Sequence, residues 1–390
     1  MNNRLISIAA KVIAKADREH PADAVLRQQL KEAEGISRQD GWWISRTVFA
    51  YYRWLGWLDQ KTAMPDRLRA AADLNEAFQK KPESFPAAEL QRAIPKWVKD
   101  HVSVSTEWLR SLQAEPGLWL RARPGKGREL ASELGECWVA GEGALGDSLR
   151  YEGSNDLFRS PQFHAGEFEL QDISSQVVGM ICAPEPGETW WDACAGEGGK
   201  MLHLCDLMQN KGLVWASDRA AWRLQKLKRR AARAKVFNYR TVLWDGGAKL
   251  PTKTKFDGIL VDAPCSGMGT WQRNPQARWT ATAEDVRELS EVQTRLLTGA
   301  AAALKPGGKL IYSVCTLTHA ETVEVAEAVT RQCPELKPME LRNPVGPKEP
   351  INGPLWMWPE TAGGNGMFIC GWRKQAVQSA KPPPSGERSV

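Results

Sequence analysis

The chain has 390 residues, of which 42% are hydrophobic and 25% are charged, with a formal net charge of +6. These values predict a soluble globular protein of two or three domains with a sizeable core. A mildly basic balance is compatible with a polyanionic partner, but it does not prove one.

The eight cysteines are scattered, and no Cys-x-x-Cys pair occurs among them. This spacing argues against a structural zinc site and against a disulfide framework, and it fits a reducing cytoplasm. The N-terminus has no apolar core of signal-peptide type, and no apolar run approaches the length of a membrane span. We therefore expect a cytoplasmic protein without a resident metal and without a membrane anchor.

The first 80 residues predict helices from their apolar spacing. Ser37-x-x-Asp40 has the pattern of a capping box before a strongly apolar helix at 42–58. The stretch 81–116 is interpreted as a linker followed by further helices, with the linker itself at 82–86.

Residues 117–170 predict a small α/β lobe, in which Leu118–Arg123 alternates apolar and polar side chains as a half-buried strand does. Two interpretations of Arg121 and Arg123 stay open. They either contact RNA phosphate or form the solvent face of the strand.

From residue 188 to residue 373 the chain repeats strand, glycine turn and helix, which predicts a mainly parallel sheet with helices on both faces. The strand at 189–192 runs into a glycine-rich turn, where the backbone can approach a ligand at a helix N-terminus. The next two strands end at Asp218 and Asp245. An acid at the tip of the second strand is placed to accept both ribose hydroxyls of a nucleoside.

Two later strands each end beside a cysteine. The strand at 256–261 leads through Asp262 to Cys265, and the strand at 310–314, which follows a predicted turn at 305–308, leads to Cys315. A lone cysteine is commonly a small core residue. Because ligands bind past the carboxyl ends of parallel strands, an acid and two thiols at two such ends favour one shared site.

The run Asp262-Ala-Pro-Cys-Ser-Gly-x-Gly, the later Arg273-Asn-Pro with Trp279, and Tyr312-Ser-x-Cys resemble the RNA cytosine-5 methyltransferases of the RsmB/NSUN family. The resemblance extends from about Pro95 to Arg373. It implies a Rossmann-like catalytic domain at 171–373 that uses S-adenosylmethionine (SAM). It also implies an RRM-like lobe at 117–170 and a shortened NusB-like helical domain at 1–80. Residues 374–390 are expected to be a disordered tail.

The family's motif assigns roles to these positions. Cys315 is the implied nucleophile, Cys265 the base that allows release, and Asp262 the group on the N3/N4 edge of cytosine. Arg273 is implied to position the substrate backbone or its own loop. The implied SAM ligands are Cys194, Ala195, Gly196, Glu197, Gly198, Gly199, Lys200, Asp218, Arg223, Asp245 and Asp262.

The sequence departs from the family's pattern at several points. Glu197 stands where the family has proline, which places a negative charge in the SAM loop. Glu321-Thr-Val stands where the family has Glu-Asn-Glu, and the nearby His319 is interpreted as a surface residue. The basic run at 222–235 is either a solvated helix face or a phosphate contact.

We therefore expect SAM-dependent methylation of C5 of a cytosine in RNA by a monomer, with ribosomal RNA as substrate and tRNA as the second choice. The target base must be flipped out or single-stranded. An amino-group methyltransferase fits less well, because it needs no thiols at strand ends. The alternative of another class is a catalytically weakened RNA-binding or ribosome-assembly factor that keeps the fold.

Overall fold

A computed structural model describes residues 3–346 and 349–375, so the predicted disordered tail lies almost wholly outside the described residues. The N-terminal region is helical, as expected. Its helices are α1 (Asn3–Lys15), α2 (Ala22–Glu32), α3 (Arg38–Trp54), α4 (Met64–Lys80), α5 (Ala87–Leu90) and α6 (Thr106–Ser111), with 3₁₀ turns at Leu55–Trp57, Pro82–Ser84, Gln91–Ala93 and Lys96–Asp100.

The capping box is present at the start of α3, where the Ser37 hydroxyl accepts the Asp40 N–H and the Asp40 carboxylate accepts the Ser37 N–H. The segment 82–86, which was predicted to be a linker, is part of the folded helical region in the structure. Phe85 is buried and its ring lies 5.2 Å from that of Trp54 and 5.4 Å from that of Phe78. Burial of this aromatic side chain ties the segment into the helical core.

The small lobe has the chain order β-α-β-β-α-β. It consists of β1 (Leu118–Ala122), α7 (Gly127–Leu134), β2 (Cys137–Val139), β3 (Ser148–Tyr151), α8 (Pro161–Ala165) and β4 (Phe168–Leu170), with 3₁₀ turns at Gly143–Leu145 and Leu157–Arg159. The strands form an antiparallel sheet in the order β2-β3-β1-β4. Its RRM-like character stays a prediction.

The remaining chain forms an eight-stranded sheet in the order β10-β12-β9-β8-β5-β6-β7, with β11 paired to β12. The strands are β5 (Thr189–Asp192), β6 (Leu213–Asp218), β7 (Tyr239–Leu243), β8 (Phe256–Asp262), β9 (Leu304–Val314), β10 (Leu336–Pro338), β11 (Leu355–Met357) and β12 (Met367–Lys374). Strands β7, β6, β5, β8 and β9 are parallel, and β12 joins antiparallel to β9.

Helices cover both faces of this sheet. They are α9 (Ile173–Cys182), α10 (Gly199–Leu207), α11 (Ala221–Arg233), α12 (Ala277–Thr280), α13 (Ala283–Ala301), α14 (Val323–Gln332) and α15 (Pro359–Ala362), and a 3₁₀ turn lies at Met268–Thr270. Trp190 packs in the core with α9–α11, whereas the adjacent Trp191 packs with α13 and α14. This alternation is the period of two that a strand buried on both faces requires. Within the described residues, no helix combines the length and apolarity needed to cross a membrane.

The predicted turn at 305–308 lies inside β9 rather than before it. The pairing with β8 shifts between the Phe256–Leu304 and Gly258–Lys309 partners, so the residues between form a bulge. Gly307 there has φ of 80°, a conformation that side chains other than glycine rarely adopt.

Arg278 joins the N-terminal helices to the catalytic region. Its side chain is fully buried and donates hydrogen bonds to four backbone carbonyls: those of Ala93 (2.9 Å), Leu112 (3.0 Å), Trp271 (3.3 Å) and Arg53 (3.4 Å). Burial lowers the pKa of Arg278 to about 9, and Arg53 adds to this shift. The guanidinium still carries its charge at neutral pH and is held by carbonyl dipoles instead of a carboxylate.

Replacement of Arg278 by methionine should lower the free energy of unfolding by about 3–5 kcal/mol, because the buried carbonyls lose their donor. Urea denaturation measures this loss. The matched control is Arg295→Met on the exposed face of α13, which should change stability by less than about 0.5 kcal/mol. Equal losses in the two variants would contradict the role assigned to Arg278.

Candidate active site at the carboxyl ends of the strands

The two cysteines predicted at strand ends lie in contact. Strands β8 and β9 are parallel neighbours with Asp262 opposite Ser313, so the loops that follow them leave the same edge of the sheet. Cys265 and Cys315 lie on these loops, and their Sγ atoms are 3.4 Å apart. A sulfur–sulfur contact of this length is a hydrogen bond between a thiol and its neighbour, and both cysteines are free.

The two thiols differ in acidity. The hydrogen bond from Cys265 lowers the pKa of Cys315 below the usual thiol value, against the opposing effects of burial and of Asp262, and the positive charge of Lys200 acts in the same direction. The same contact, together with burial and the charge of Glu321, raises the pKa of Cys265 well above its usual value. The thiolate, which is the nucleophilic form, therefore forms more readily on Cys315 than on Cys265.

Asp262 lies beside this pair and is held from two sides. Lys200 Nζ donates to Asp262 Oδ2 at 2.7 Å, and the Ser313 hydroxyl donates to Oδ1 at 2.8 Å. Burial disfavours charge on Lys200, but the charge and hydrogen bond of Asp262 outweigh it and raise the pKa of Lys200. The side chain of Asp262 remains 29% exposed, so its carboxylate is accessible to a ligand.

Glu321 is a site residue whose role the sequence did not reveal. Its carboxylate is fully buried and accepts hydrogen bonds from the Ser266 N–H (2.7 Å) and from the hydroxyls of Ser266 (2.6 Å), Thr318 (2.9 Å) and Thr316 (3.1 Å). A fifth bond comes from Gln293 Nε2 at 3.1 Å. Two signals in the sequence pointed to it: a glutamate among hydroxyl residues shortly after Cys315, and its place at the first position of the family's Glu-Asn-Glu pattern.

The glycine-rich turn between β5 and α10 fits a bound nucleoside-type cofactor. Gly196 and Gly198 have φ of 54° and 90°, and a side chain at Gly196 would project into open space, whereas one at Gly198 would strike Leu227. The Asp218 carboxylate accepts the N–H groups of Gly196 (3.0 Å) and Ala220 (2.8 Å). These contacts hold an acid and an open backbone together at the strand ends, as SAM binding requires.

The remaining predicted SAM ligands surround this turn. The negative charge of Glu197 is partly neutralised, because its carboxylate pairs with Lys226 Nζ at 2.7 Å. Arg223 approaches Asp218 at 3.9 Å. Asp245 is exposed and caps the N–H of Gly247 at 2.8 Å. Ala195 is buried, and burial together with the charge of Asp192 raises the pKa of Cys194 well above its usual value, so that thiol is unreactive.

The two arginines of the small lobe pair with an acid, and the interpretation that Arg121 forms the solvent face of its strand is wrong, whereas Arg123 is partly exposed. Arg121 is 3% exposed and pairs with Asp206 and with the Gln171 side chain (2.7 Å). Arg123 pairs with the same Asp206 carboxylate. One buried acid on α10 draws both cations inward, because a buried carboxylate needs charged partners.

Two further predictions concern the loops near the site. Arg273 donates to the Gly117 carbonyl at 2.8 Å and lies 3.4 Å from Asp172, so it positions its own loop against the start of the lobe. His319 is exposed, as predicted. No group of three or more His, Cys, Asp or Glu side chains in the described part of the chain is arranged to hold a metal ion.

The basic run on α11 divides into two sets. Arg230 and Arg233 pair with the buried Glu169 at 2.8 and 2.5 Å, so these cations hold the helix against the small lobe. Lys228 and Arg229 are exposed. Part of the basic run therefore has a structural role. Contact between its exposed part and RNA phosphate stays a prediction.

Comparisons with known proteins agree with this geometry. The family model described as 16S rRNA methyltransferase RsmB/F matches residues 179–373, which is half of the chain. A probable ribosomal RNA small subunit methyltransferase B from Synechocystis is 35% identical over 66% of this chain and 60% of that protein. The mouse tRNA (cytosine(72)-C(5))-methyltransferase NSUN6 is 39% identical over 44% of this chain and 38% of that protein.

The fold extends beyond the part that these sequences match. The crystal structure of PH0851 aligns with a TM-score of 0.75 and 23% identity over 95% of this chain and 97% of that chain. This likeness shows a shared fold, including the N-terminal helices. The chain spans 38–60% of the length of the two curated relatives.

Iodoacetamide at pH 7 should modify Cys315 before Cys265, because the Cys315 thiol has the lower pKa. Lys200→Met should slow modification of Cys315 by about tenfold, since loss of the cation raises the pKa of the thiol. Peptide mass spectrometry over a pH series measures both rates, and Lys211→Met on an exposed loop is the control. Faster labelling of Cys265 would contradict the assignment.

Asp192 makes stability depend on pH. Burial, then the charge of Asp262, raises its pKa to about 8, and neither carboxylate oxygen has a well-formed hydrogen bond. Because the folded state holds this proton more tightly, its contribution to folding is fully present below about pH 4 and is lost as the pH rises to 8. Asp192→Asn should therefore exceed the wild type in stability by about 3 kcal/mol at pH 8, and the difference should shrink toward pH 4.

Thermal and urea unfolding at pH 4, 6 and 8 test this, with the exposed Asp73→Asn as the control. A difference between Asp192→Asn and the wild type that does not change with pH would rule out the titration of Asp192 as its source.

Proposed function

Since the chain belongs to the RsmB/F methyltransferase family, we propose that it methylates C5 of a cytosine in RNA, with SAM as the methyl donor. The observation that carries this proposal is the contact between Cys265 and Cys315 at the ends of β8 and β9. Methyl transfer to an amino group has no use for two thiols in contact. Transfer to C5 uses both.

C5 of cytosine is too weak a nucleophile to accept a methyl group unaided. In the proposed reaction the Cys315 thiolate adds to C6, and the electron pair of the C5–C6 bond becomes available at C5. SAM, when bound, supplies the methyl group that C5 takes up. Asp262, oriented by Lys200 and Ser313, hydrogen-bonds or protonates the N3/N4 edge, and a proton given to N3 draws charge away from C6 as the thiolate adds.

Release needs a base. Cys265 takes the proton from C5, the C5–C6 double bond re-forms, and the bond between C6 and the Cys315 sulfur breaks. The residues proposed to hold SAM are those of the turn from Cys194 to Lys200, with Asp218, Arg223 and Asp245. The pairing of Glu197 with Lys226 offsets the charge that this turn carries in place of the family's proline.

Ribosomal RNA is the proposed substrate, because the matching family and the Synechocystis relative carry that name. Transfer RNA is the second candidate, supported by the identity to mouse NSUN6. A SAM-binding titration distinguishes these two enzyme functions from a catalytically weakened RNA-binding factor. An absence of SAM binding would contradict the proposal that the protein is an enzyme. Bisulfite sequencing of RNA from a deletion strain identifies the target nucleotide.

The covalent step is tested by mixing wild type, Cys265→Ala and Cys315→Ala with total RNA and SAM on denaturing gels. Cys265→Ala should accumulate a protein–RNA adduct, because addition proceeds without release. Cys315→Ala should form none and lose methyl transfer by at least about 1000-fold. Cys137→Ala, on a strand of the small lobe, is the control and should behave as wild type.

If Cys315→Ala formed the adduct instead, Cys265 would be the nucleophile and Cys315 the base. If no variant forms an adduct and the wild type transfers no methyl group, the RNA-binding factor replaces the enzyme as the proposed function.

A further inference from the structure

Glu321 is a buried carboxylate that has no ion-pair partner among the described residues. Five groups point at it, and all five are hydrogen-bond donors: one backbone N–H, one amide and three hydroxyls. Both carboxylate oxygens of Glu321 therefore act as hydrogen-bond acceptors. A buried charge held only by neutral donors is costly unless the arrangement is fully satisfied, so these bonds fix the positions of their donors.

The donors come from the two loops that carry the thiols. Ser266 follows Cys265 directly, and Thr316 follows Cys315 directly. The two hydroxyls also lie 2.9 Å apart, and both contact the same carboxylate oxygen of Glu321. Backbone hydrogen bonds join the two loops from Ala263 N–H to the Ser313 carbonyl (3.0 Å) and from Gly269 N–H to the Cys315 carbonyl (2.9 Å), and the side-chain network links the residues between them.

The network is anchored behind the loops. Gln293 of α13 donates to the Pro264 carbonyl (2.9 Å) as well as to Glu321. Tyr312 of β9 donates its hydroxyl to the Glu321 carbonyl at 2.6 Å. Helix, strand and both loops therefore meet at one residue, Glu321.

The charge of Glu321 also faces the thiols. Two further charged groups shift the pKa of Cys315: Lys200 from α10 lowers it and Asp262 from β8 raises it. Tyr312 is close enough to Cys265 for a charge on that thiol to raise the pKa of Tyr312. The negative charge of Glu321 raises the pKa of Cys265. It opposes charge on Cys315 as well, but Lys200 offsets it there.

We propose that Glu321 is a positioning residue, which clamps the Cys265 loop onto the Cys315 loop and so holds the two thiols in contact. Its link to catalysis rests on the proposed function. Its effect on the thiols does not, because alkylation reports on them without RNA, SAM or methyl transfer.

The test compares wild type with Glu321→Gln, Glu321→Asp and the control Glu324→Gln, which lies three residues further on and is exposed. In Glu321→Gln the ratio of Cys315 to Cys265 alkylation at pH 7 should fall by about tenfold, because the loosened Cys265 loop weakens the thiol–thiol contact that favours the thiolate of Cys315. Glu321→Asp should restore part of the ratio, and Glu324→Gln should leave it unchanged. An unchanged ratio in Glu321→Gln would overturn the proposal.

Kinetics provide the second measurement. The Glu321→Gln substitution should lower kcat by about 100-fold and leave the KM for SAM within about twofold, since Glu321 does not touch the proposed SAM turn. A rise in the KM for SAM with an unchanged kcat would contradict a role at the thiols. If the wild type transfers no methyl group, the proposed function fails, while the alkylation ratio still decides the role of Glu321.

In Glu321→Gln the new amide group faces hydrogen-bond donors, and this mismatch can prevent the variant from folding. A second variant therefore keeps the proposal testable. Ser266→Ala removes one donor and keeps the charge, and it should lower the alkylation ratio by about threefold through the loosened loop. If Glu321→Gln does not fold, an unchanged ratio in Ser266→Ala overturns the clamp.

Discussion

The parallel pairing of β8 with β9 is the constraint on which the site depends. It sets Asp262 opposite Ser313 and sends two loops from the same edge of the sheet. Residues 50 positions apart in the sequence thereby place their sulfurs 3.4 Å apart. A shift of one residue in this register would turn each strand-end side chain to the other face, and the acid and the thiols would separate.

The N-terminal helices are part of the same structural unit as the loops. Their hydrophobic core includes Met268, Trp271 and Leu317, which flank the two cysteines in sequence. Gln276 adds polar contacts, accepting the Ala22 N–H at 2.7 Å and donating to a carbonyl of the α1–α2 loop. The helical region therefore packs directly against the loops that carry the cysteines. Substitutions in its hydrophobic core should change the positions of the two thiols.

Local signals allowed the sequence to predict much of this structure. Strand ends, the glycine turn after β5 and the capping box at Ser37 depend on residues close together in the chain, and these predictions are confirmed, whereas the predicted turn at 305–308 is a bulge within β9. Arg121, Arg123 and Glu321 were missed or misread because their partners are distant in sequence or lie in other elements. Asp206, which draws both arginines inward, is 85 residues from Arg121. No periodicity in one strand reveals such a partner.

Two thiols in contact cannot both ionise readily, and the proposed chemistry needs each as a base or nucleophile at a different time. Before the reaction the hydrogen bond between the thiols lowers the pKa of Cys315 and raises that of Cys265. In the proposed chemistry Cys315 then bonds to C6, which removes this hydrogen bond and with it the largest cause of the raised pKa of Cys265. A cavity of about 160 Å³ borders Cys265 and gives its proton a route to water. Cys265 thus becomes more acidic at the step in which its thiolate is needed to take the C5 proton.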